Sequence, residues 1–280
     1  SFIMKIQAHI IVLLLSICCS PLYGQFSIDA PSTLYTENFN AYDGSALSPT
    51  STGIDSNSWA ISGLNFGNVD FGGTGSGLSF QGVNTGADGA GISAFEISTG
   101  DRALGARPAF TQVSIFGFVL FESTTFLPGS FTLRLQNNTG FAIKSLDIAY
   151  DIFSYNDTNF SSTWNFSHSA DNSTYTMVGS LDFVSAGTAS GTPGWDSVAR
   201  DSDLSGLSIA DGDYYYLRWS TSDTAGGLTG NRDQFALDNI AVSAEVIPEP
   251  ETYALFVGVA CLGLVVLRKK WAAIQAKRVS

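Results

Sequence analysis

Of the side chains able to do acid–base or nucleophilic chemistry, histidine is nearly missing: after the apolar N-terminal segment only His168 remains. A histidine base or a histidine-held zinc would rest on that one residue, and its place on a strand face with Trp164 and Phe166 reads as packing. The sequence has no Gly-x-Ser-x-Gly elbow and no His-Glu-x-x-His pair. Carboxylates are plentiful and a glycosidase needs only two, but no spacing selects a pair. Gly73-Thr74-Gly75-Ser76-Gly77 lacks the Lys-Ser/Thr ending of a phosphate loop and the aspartate of calcium-binding nonapeptides, so it reads as loop glycine. Two patterns point to binding instead. Glu37 near the first strand and Asp238 on the last would meet if the terminal strands pair, offering hard oxygen ligands to a structural calcium; the alternative is that Asp238 caps a bulge with Asn239. Tyr214, Tyr216 and Arg218 alternate with Tyr215, Leu217 and Trp219, so the two sets face opposite ways. If the first set is exposed, it makes a ligand-binding platform able to stack on sugar rings; if both faces are covered, it is packing.

The elements that must position these residues are strands. The chain has 280 residues, rich in Gly and aromatics and only 14% charged, a composition that suits one large β domain. All three cysteines, Cys18, Cys19 and Cys261, lie in apolar terminal segments, so the middle has no disulfide or thiolate metal site. Between Gln25 and Glu245 there are 23 acidic and 7 basic side chains, a net −16 against −12 for the whole chain. A phosphate backbone needs a basic surface, so nucleic acid is excluded as a partner; cations, glycans and basic surfaces fit.

Strand signals recur along residues 25–245. Leu34 to Phe39 reads as the first strand, Ser45 to Ser58 as a polar loop, and the glycine-dense stretch Gly63 to Gly91 as loops and bulges. Phe131, Leu133 and Leu135 alternate with Thr132 and Arg134, and Leu146, Ile148, Tyr150 and Ile152 alternate with Asp147, Ala149 and Asp151. Period two predicts one buried and one wet face in each run. Asn137-Asn138-Thr139-Gly140 connects them with residues that tolerate positive φ. Tyr175 to Val184, Tyr214 to Trp219 and Phe235 to Val242 complete the set.

The ends differ. Residues 1–24 have the charged start (Lys5) and short apolar core of a secretory signal helix; Leu15-Ser16-Ile17-Cys18 hints at a lipoprotein box, with Ile17 where a small residue should stand. Residues 246–251, with Pro248, Glu249 and Pro250, form an extended linker. Residues 252–270 read as a transmembrane helix ending in Arg268, Lys269 and Lys270, and 271–280 as a cytoplasmic tail. The apolar run Thr252 to Leu267, about 24 Å at 1.5 Å per residue, is short for a hydrocarbon core of about 30 Å; flanking Tyr253, Trp271 and the basic side chains would extend it.

An N-terminal signal, Pro248-Glu249-Pro250, an apolar helix and an Arg-Lys-Lys end together resemble the PEP-CTERM sorting architecture of exopolysaccharide-producing Gram-negative bacteria. The resemblance implies recognition at the inner membrane by an exosortase, a transpeptidase-like enzyme that removes the tail near that motif. Trp271 to Ser280 is longer than the usual basic end, and a plain single-span anchor is the other reading. The middle is similar to a domain of secreted bacterial proteins, through Glu37-Asn38-Phe39-Asn40, Arg102-Ala103-Leu104-Gly105, Leu133 to Gly140, Tyr215 to Trp219 and Asp233 to Ile240. That similarity implies a lectin-like jelly roll and brings no activity; Leu237-Asp238-Asn239-Ile240 also resembles the last strand of carbohydrate-binding jelly rolls. The expectation is an all-β, jelly-roll-like antiparallel sandwich, exported to the cell surface or extracellular matrix, non-enzymatic, with a structural or adhesive role. A calcium-dependent carbohydrate-binding module that holds polysaccharide is the alternative, and a carboxylate-based hydrolase a third.

Overall fold

The computed structural model describes residues 26–50, 54–64, 68–76, 80–85, 91–107, 110–115, 118–126, 128–225 and 232–246, with 258, 261–265, 267–269 and 271 near the C-terminus. In chain order the strands are β1 (Phe26–Ile28), β2 (Tyr35–Glu37), β3 (Ala46–Leu47), β4 (Trp59–Gly63), β5 (Gly75–Ser76), β6 (Phe80–Asn84), β7 (Gly91–Ser98), β8 (Asp101–Arg107) and β9 (Phe110–Ile115). There follow β10 (Phe118–Phe126), β11 (Gly129–Asn137), β12 (Ile143–Tyr155), β13 (Ser161–Ser169), β14 (Thr176–Met177), β15 (Phe183–Val184), β16 (Trp195–Leu204), β17 (Tyr214–Ala225) and β18 (Gln234–Val246).

Two seven-stranded sheets form a sandwich. The first runs β1-β11-β17-β13-β14, with β4 on the β1 side of β11 and β15 on β13; the second runs β16-β12-β18-β8-β7-β6, with β2 also on β18. From β11 to β13, and again from β16 to β18, successive long strands alternate between the sheets, the winding of a jelly roll. The pairing is antiparallel except for β1 beside β11 and β6 beside β7. The crossing from β11 to β12 is made by the expected Asn137–Gly140 segment. Buried Asn137 holds it, donating to the carbonyls of Phe141 (2.7 Å) and Ile209 (2.8 Å) while accepting from the Thr139 N–H (3.0 Å).

The alternating residues of the sequence are the inward ones. Phe131, Leu133, Trp164, Phe166, Leu217 and Trp219 of the first sheet meet Ile148, Tyr150, Ile152, Phe235, Leu237 and Val242 of the second. Trp219 stacks on Trp59 at 5.9 Å and receives the edge of Tyr150 at 5.4 Å, while Phe131 stacks on Trp164 at 5.4 Å. Burying rings of this size dominates the favourable side of folding.

The structure differs from the sequence reading in several places. A strand precedes the expected first one, because Phe26 and Ile28 bury against the sandwich edge beside β11. The segment Tyr175 to Val184 is not one strand: two short strands flank a 3-10 turn at Gly179–Leu181, where Leu181 is buried and its carbonyl accepts the Tyr150 hydroxyl at 2.6 Å. The outer face of β11 is wet only in part, since Ser130 and Thr132 are buried there while Arg134 and Gln136 are half-buried. Ser45 to Ser58 includes β3 and sends Leu47 and Ile54 into the core.

The signal segment 1–24, Pro248, Glu249, Pro250 and Lys270 lie outside the described residues. The expected spanning helix over 252–270 is described only at Gly258, 261–265 and 267–269, which are helical, with Leu262, Leu264, Val265 and Leu267 exposed and Trp271 exposed beyond them. Among the described residues, no helix is long and apolar enough to cross a membrane.

Candidate functional site

The outer face of the first sheet carries an open groove of about 410 Å³. Its floor is Ala60 and Ser62 of β4, Ser130 and Thr132 of β11, and Arg218 of β17; Asn68, Asp70 and Phe71 form one wall and Asn172 contributes to the other. The Phe71 wall is held by a glycine turn. Gly72, at φ 77°, donates its N–H to the Ser56 carbonyl (2.8 Å), a left-handed position that a side chain would strain, and the Ser56 hydroxyl donates to the Gly73 carbonyl at 2.7 Å. On the opposite side, Asp171 Oδ1 accepts the N–H groups of Ser173 and Thr174, both at 2.8 Å. These bonds hold its carboxyl well below the usual range and fix the loop that delivers Tyr175.

Tyr214, Tyr216 and Arg218 do point away from the core, but they do not form one platform. Arg134 of β11 lies between Phe71 (4.5 Å) and Tyr214 (4.6 Å), covering a Tyr214 face, and its Nε and Nη2 donate to the Asn57 carbonyl at 3.1 and 2.6 Å. Tyr216 packs at 5.8 Å against Phe71. Arg218 alone of the three lines the groove, its guanidinium 3.3 Å from the centre of the Tyr175 ring. Phe71, Asp70, Tyr175 and Arg134 were not singled out from sequence as binding residues. Phe71 stood in a stretch read for its glycines, and Tyr175 in one read as strand.

Glu37 and Asp238 lie on paired strands, Glu37 opposite Ile240. One edge of β18 is shared: β8 pairs with it through Phe235–Leu237, β2 through Ile240–Val242. Asp238 and Asn239 fall in the gap. Toward β12 the register also slips there, Asp151 facing Asp238 and Ala149 facing Ala241, a bulge that Asn239 makes by adopting φ 51°. Asp238 is fully buried, and neither carboxylate oxygen makes a hydrogen bond of good geometry among the described residues, the Asn239 N–H lying near it without one. Burial pushes its pKa up to about 7 against the lowering effect of the Asn239 N–H, with the charges of Asp101, Asp151 and Glu37 adding to the rise. The Glu37 carboxyl is also raised by burial; Oε1 accepts the Phe39 N–H at 3.2 Å and Oε2 the Tyr35 hydroxyl at 3.3 Å. Phe39 itself sits at φ 49°, strained for a bulky residue, its ring 5.5 Å from Trp59.

A buried carboxylate with both oxygens unpaired fits a hard cation, which takes several oxygen ligands. Among the described residues no three Asp, Glu, His or Cys side chains converge closely enough to hold a metal, so a calcium here would take further ligands from carbonyls and water. His168 does what its strand face suggested. It is half-buried, its ring stacks on Tyr215 at 5.8 Å and its Nδ1 bonds the Tyr215 hydroxyl, and burial holds its pKa below the usual value.

No family model and no curated protein matches this sequence. Among solved structures it is similar to the CBM22-1 xylan-binding domain from Paenibacillus barcinonensis Xyn10C, with 8% identity, 79% of this chain and 99% of that chain covered, and a TM-score of 0.32. A structure titled for CBM4 structure and function shows 14% identity over 68% of this chain and 97% of that one, with a TM-score of 0.28. The K2 cleaved adhesin domain of Lys-gingipain shows 12% identity over 75% and 98%, with a TM-score of 0.31. Likenesses this loose carry no argument; the architecture rests on the strand pairing itself.

Proposed function

We propose that this chain is an exported, non-catalytic surface or matrix protein whose sandwich holds polysaccharide in the groove on the outer face of the first sheet. The groove itself carries this reading: an open cleft of about 410 Å³ with Phe71 in one wall and hydroxyl, amide and charged side chains in the rest of its lining, the mixture that sugar rings with apolar faces and hydroxyl edges require. Binding is favoured over hydrolysis because glycoside cleavage uses two carboxylates flanking the bond, and the described lining contains Asp70 as its one carboxylate. A glycan array probed with the purified chain and with Phe71→Ala tests it. Phe71 contacts Arg134 and Tyr216 and lines the groove, so its loss is expected to weaken binding about tenfold, the weight of a stacked aromatic; unaltered binding removes the groove from the reading.

The sorting role rests on the termini of the sequence, with Pro248-Glu249-Pro250 as the exosortase motif and Arg268, Lys269 and Lys270 as the basic stop. A calcium bound by Asp238 and Glu37 is the second reading, favoured by the two unpaired buried oxygens of Asp238. Such an ion would tie β2 to the β18 bulge, far from any catalytic requirement.

A further inference from the structure

Resting on the groove reading above, we propose that its ligand is an acidic polysaccharide whose sugar carboxylate is bound by Arg218, a single local contact that does not need the extended basic surface a phosphate backbone requires. The sandwich has seven cations, and their partners differ; Arg232 is fully buried, its guanidinium 5.2 Å from the centre of the Phe160 ring. Arg102, Arg107, Arg134, Lys144 and Arg200 each donate to an oxygen of the protein: the Tyr42 carbonyl, the Asp157 carboxylate, the Asn57 carbonyl, the Ser208 hydroxyl and the Asp182 carbonyl, at 3.1, 2.8, 2.6, 3.5 and 2.9 Å. Arg218 donates to none among the described residues, and its Nε is buried without a partner. Among the described residues, what supports it is the Tyr175 ring against its flat face. Stacking fixes the plane of a guanidinium and leaves its N–H edge free.

Arg218, part-buried as a whole, belongs to the groove lining. A neutral sugar hydroxyl would satisfy one donor; a carboxylate accepts two parallel bonds from the terminal pair of Nη groups and neutralises the charge. The acids nearby do not already serve this purpose. Asp171 Oδ1 is engaged by Ser169, Ser173 and Thr174, and Asp70, exposed on the opposite wall, makes no ion pair with Arg218 among the described residues. Asp70 and Asn172 are then left to take sugar hydroxyls.

The test is affinity electrophoresis of the purified full chain in non-ionic detergent through gels containing polygalacturonate or alginate, or the carboxyl-reduced form of each. The acidic polymers are expected to bind about tenfold more tightly than their reduced forms, the ratio set by a charge-assisted hydrogen bond. Arg218→Gln should erase that ratio, Arg218→Lys, which keeps the charge without the fork, should retain part of it, and Phe71→Ala should weaken both forms together. Equal retardation by acidic and reduced polymers, read on the unaltered chain, overturns the acidic ligand while the groove reading stands. No retardation by any of the polymers overturns both.

Discussion

Asp238 shows how one side chain can set the solution behaviour of a large sandwich. An unpaired buried carboxylate is costly in its charged form, and two things relieve it: a proton or a cation. Its folded-state pKa of about 7 lies above the ordinary aspartate value of 3.8. Between those values the metal-free folded protein keeps a proton that the unfolded chain has released, so stability falls as pH rises through this window and levels off above it. Glu37 and Asp233, also raised by burial, act in the same sense; His168, lowered by burial, acts oppositely, favouring stability as pH rises past its own titration. Comparison with Asp238→Asn isolates the aspartate: thermal melts between pH 4 and 7.5 after chelation should show a smaller decline in the variant. Added calcium should raise the melting temperature of the unaltered chain at pH 7.5 and leave that of Asp238→Asn in place. An unaltered chain that does not respond to calcium after chelation rules out the cation and leaves the proton as the compensation.

At the level of elements, the site depends on how closely strands approach. β8 lies against β18 at Gly105, where an added Cβ would overlap the Phe235 carbonyl oxygen and the Phe95 ring. Gly105→Ala is therefore expected to cost about 1–3 kcal/mol through overpacking, seen as a lower urea midpoint at an unchanged slope. Because β8 ends its pairing beside Asp238, the same substitution should also reduce any calcium response. The alternating runs in β11, β12 and β17 were legible in sequence because each places one face on a common core. The short pieces β14 and β15 were not, since Tyr175 and Leu181 take their positions from Arg218 and Tyr150 on other strands. Phe71 likewise reaches the groove through a glycine turn whose bonds run to Ser56, a partner that no local pattern announces.

For the molecule as a whole, the acidic sandwich and the basic C-terminal end divide the chain electrostatically. Sorting is tested by mass spectrometry of the mature protein from its host. Removal of the tail predicts a last peptide ending near Pro250, and replacement of Pro248, Glu249 and Pro250 by alanine should restore the uncut form; an intact peptide through Trp271 in the unaltered protein establishes a plain anchor instead.

The sequence by itself determined the all-β class, the inward faces of the long strands, and the exclusion of histidine and thiolate chemistry from the sandwich, because composition and period-two burial are properties of single segments. It also placed Tyr214, Tyr216 and Arg218 together on one strand face. Only the tertiary structure decided that Arg134 and Phe71 cover the tyrosines while Arg218 stays unpaired in a groove, and that Asp238 falls where β18 changes partners from β8 to β2. Pairing, coverage and the loss of hydrogen-bond partners arise between segments far apart in the chain, so they come into existence only when the two sheets close on each other.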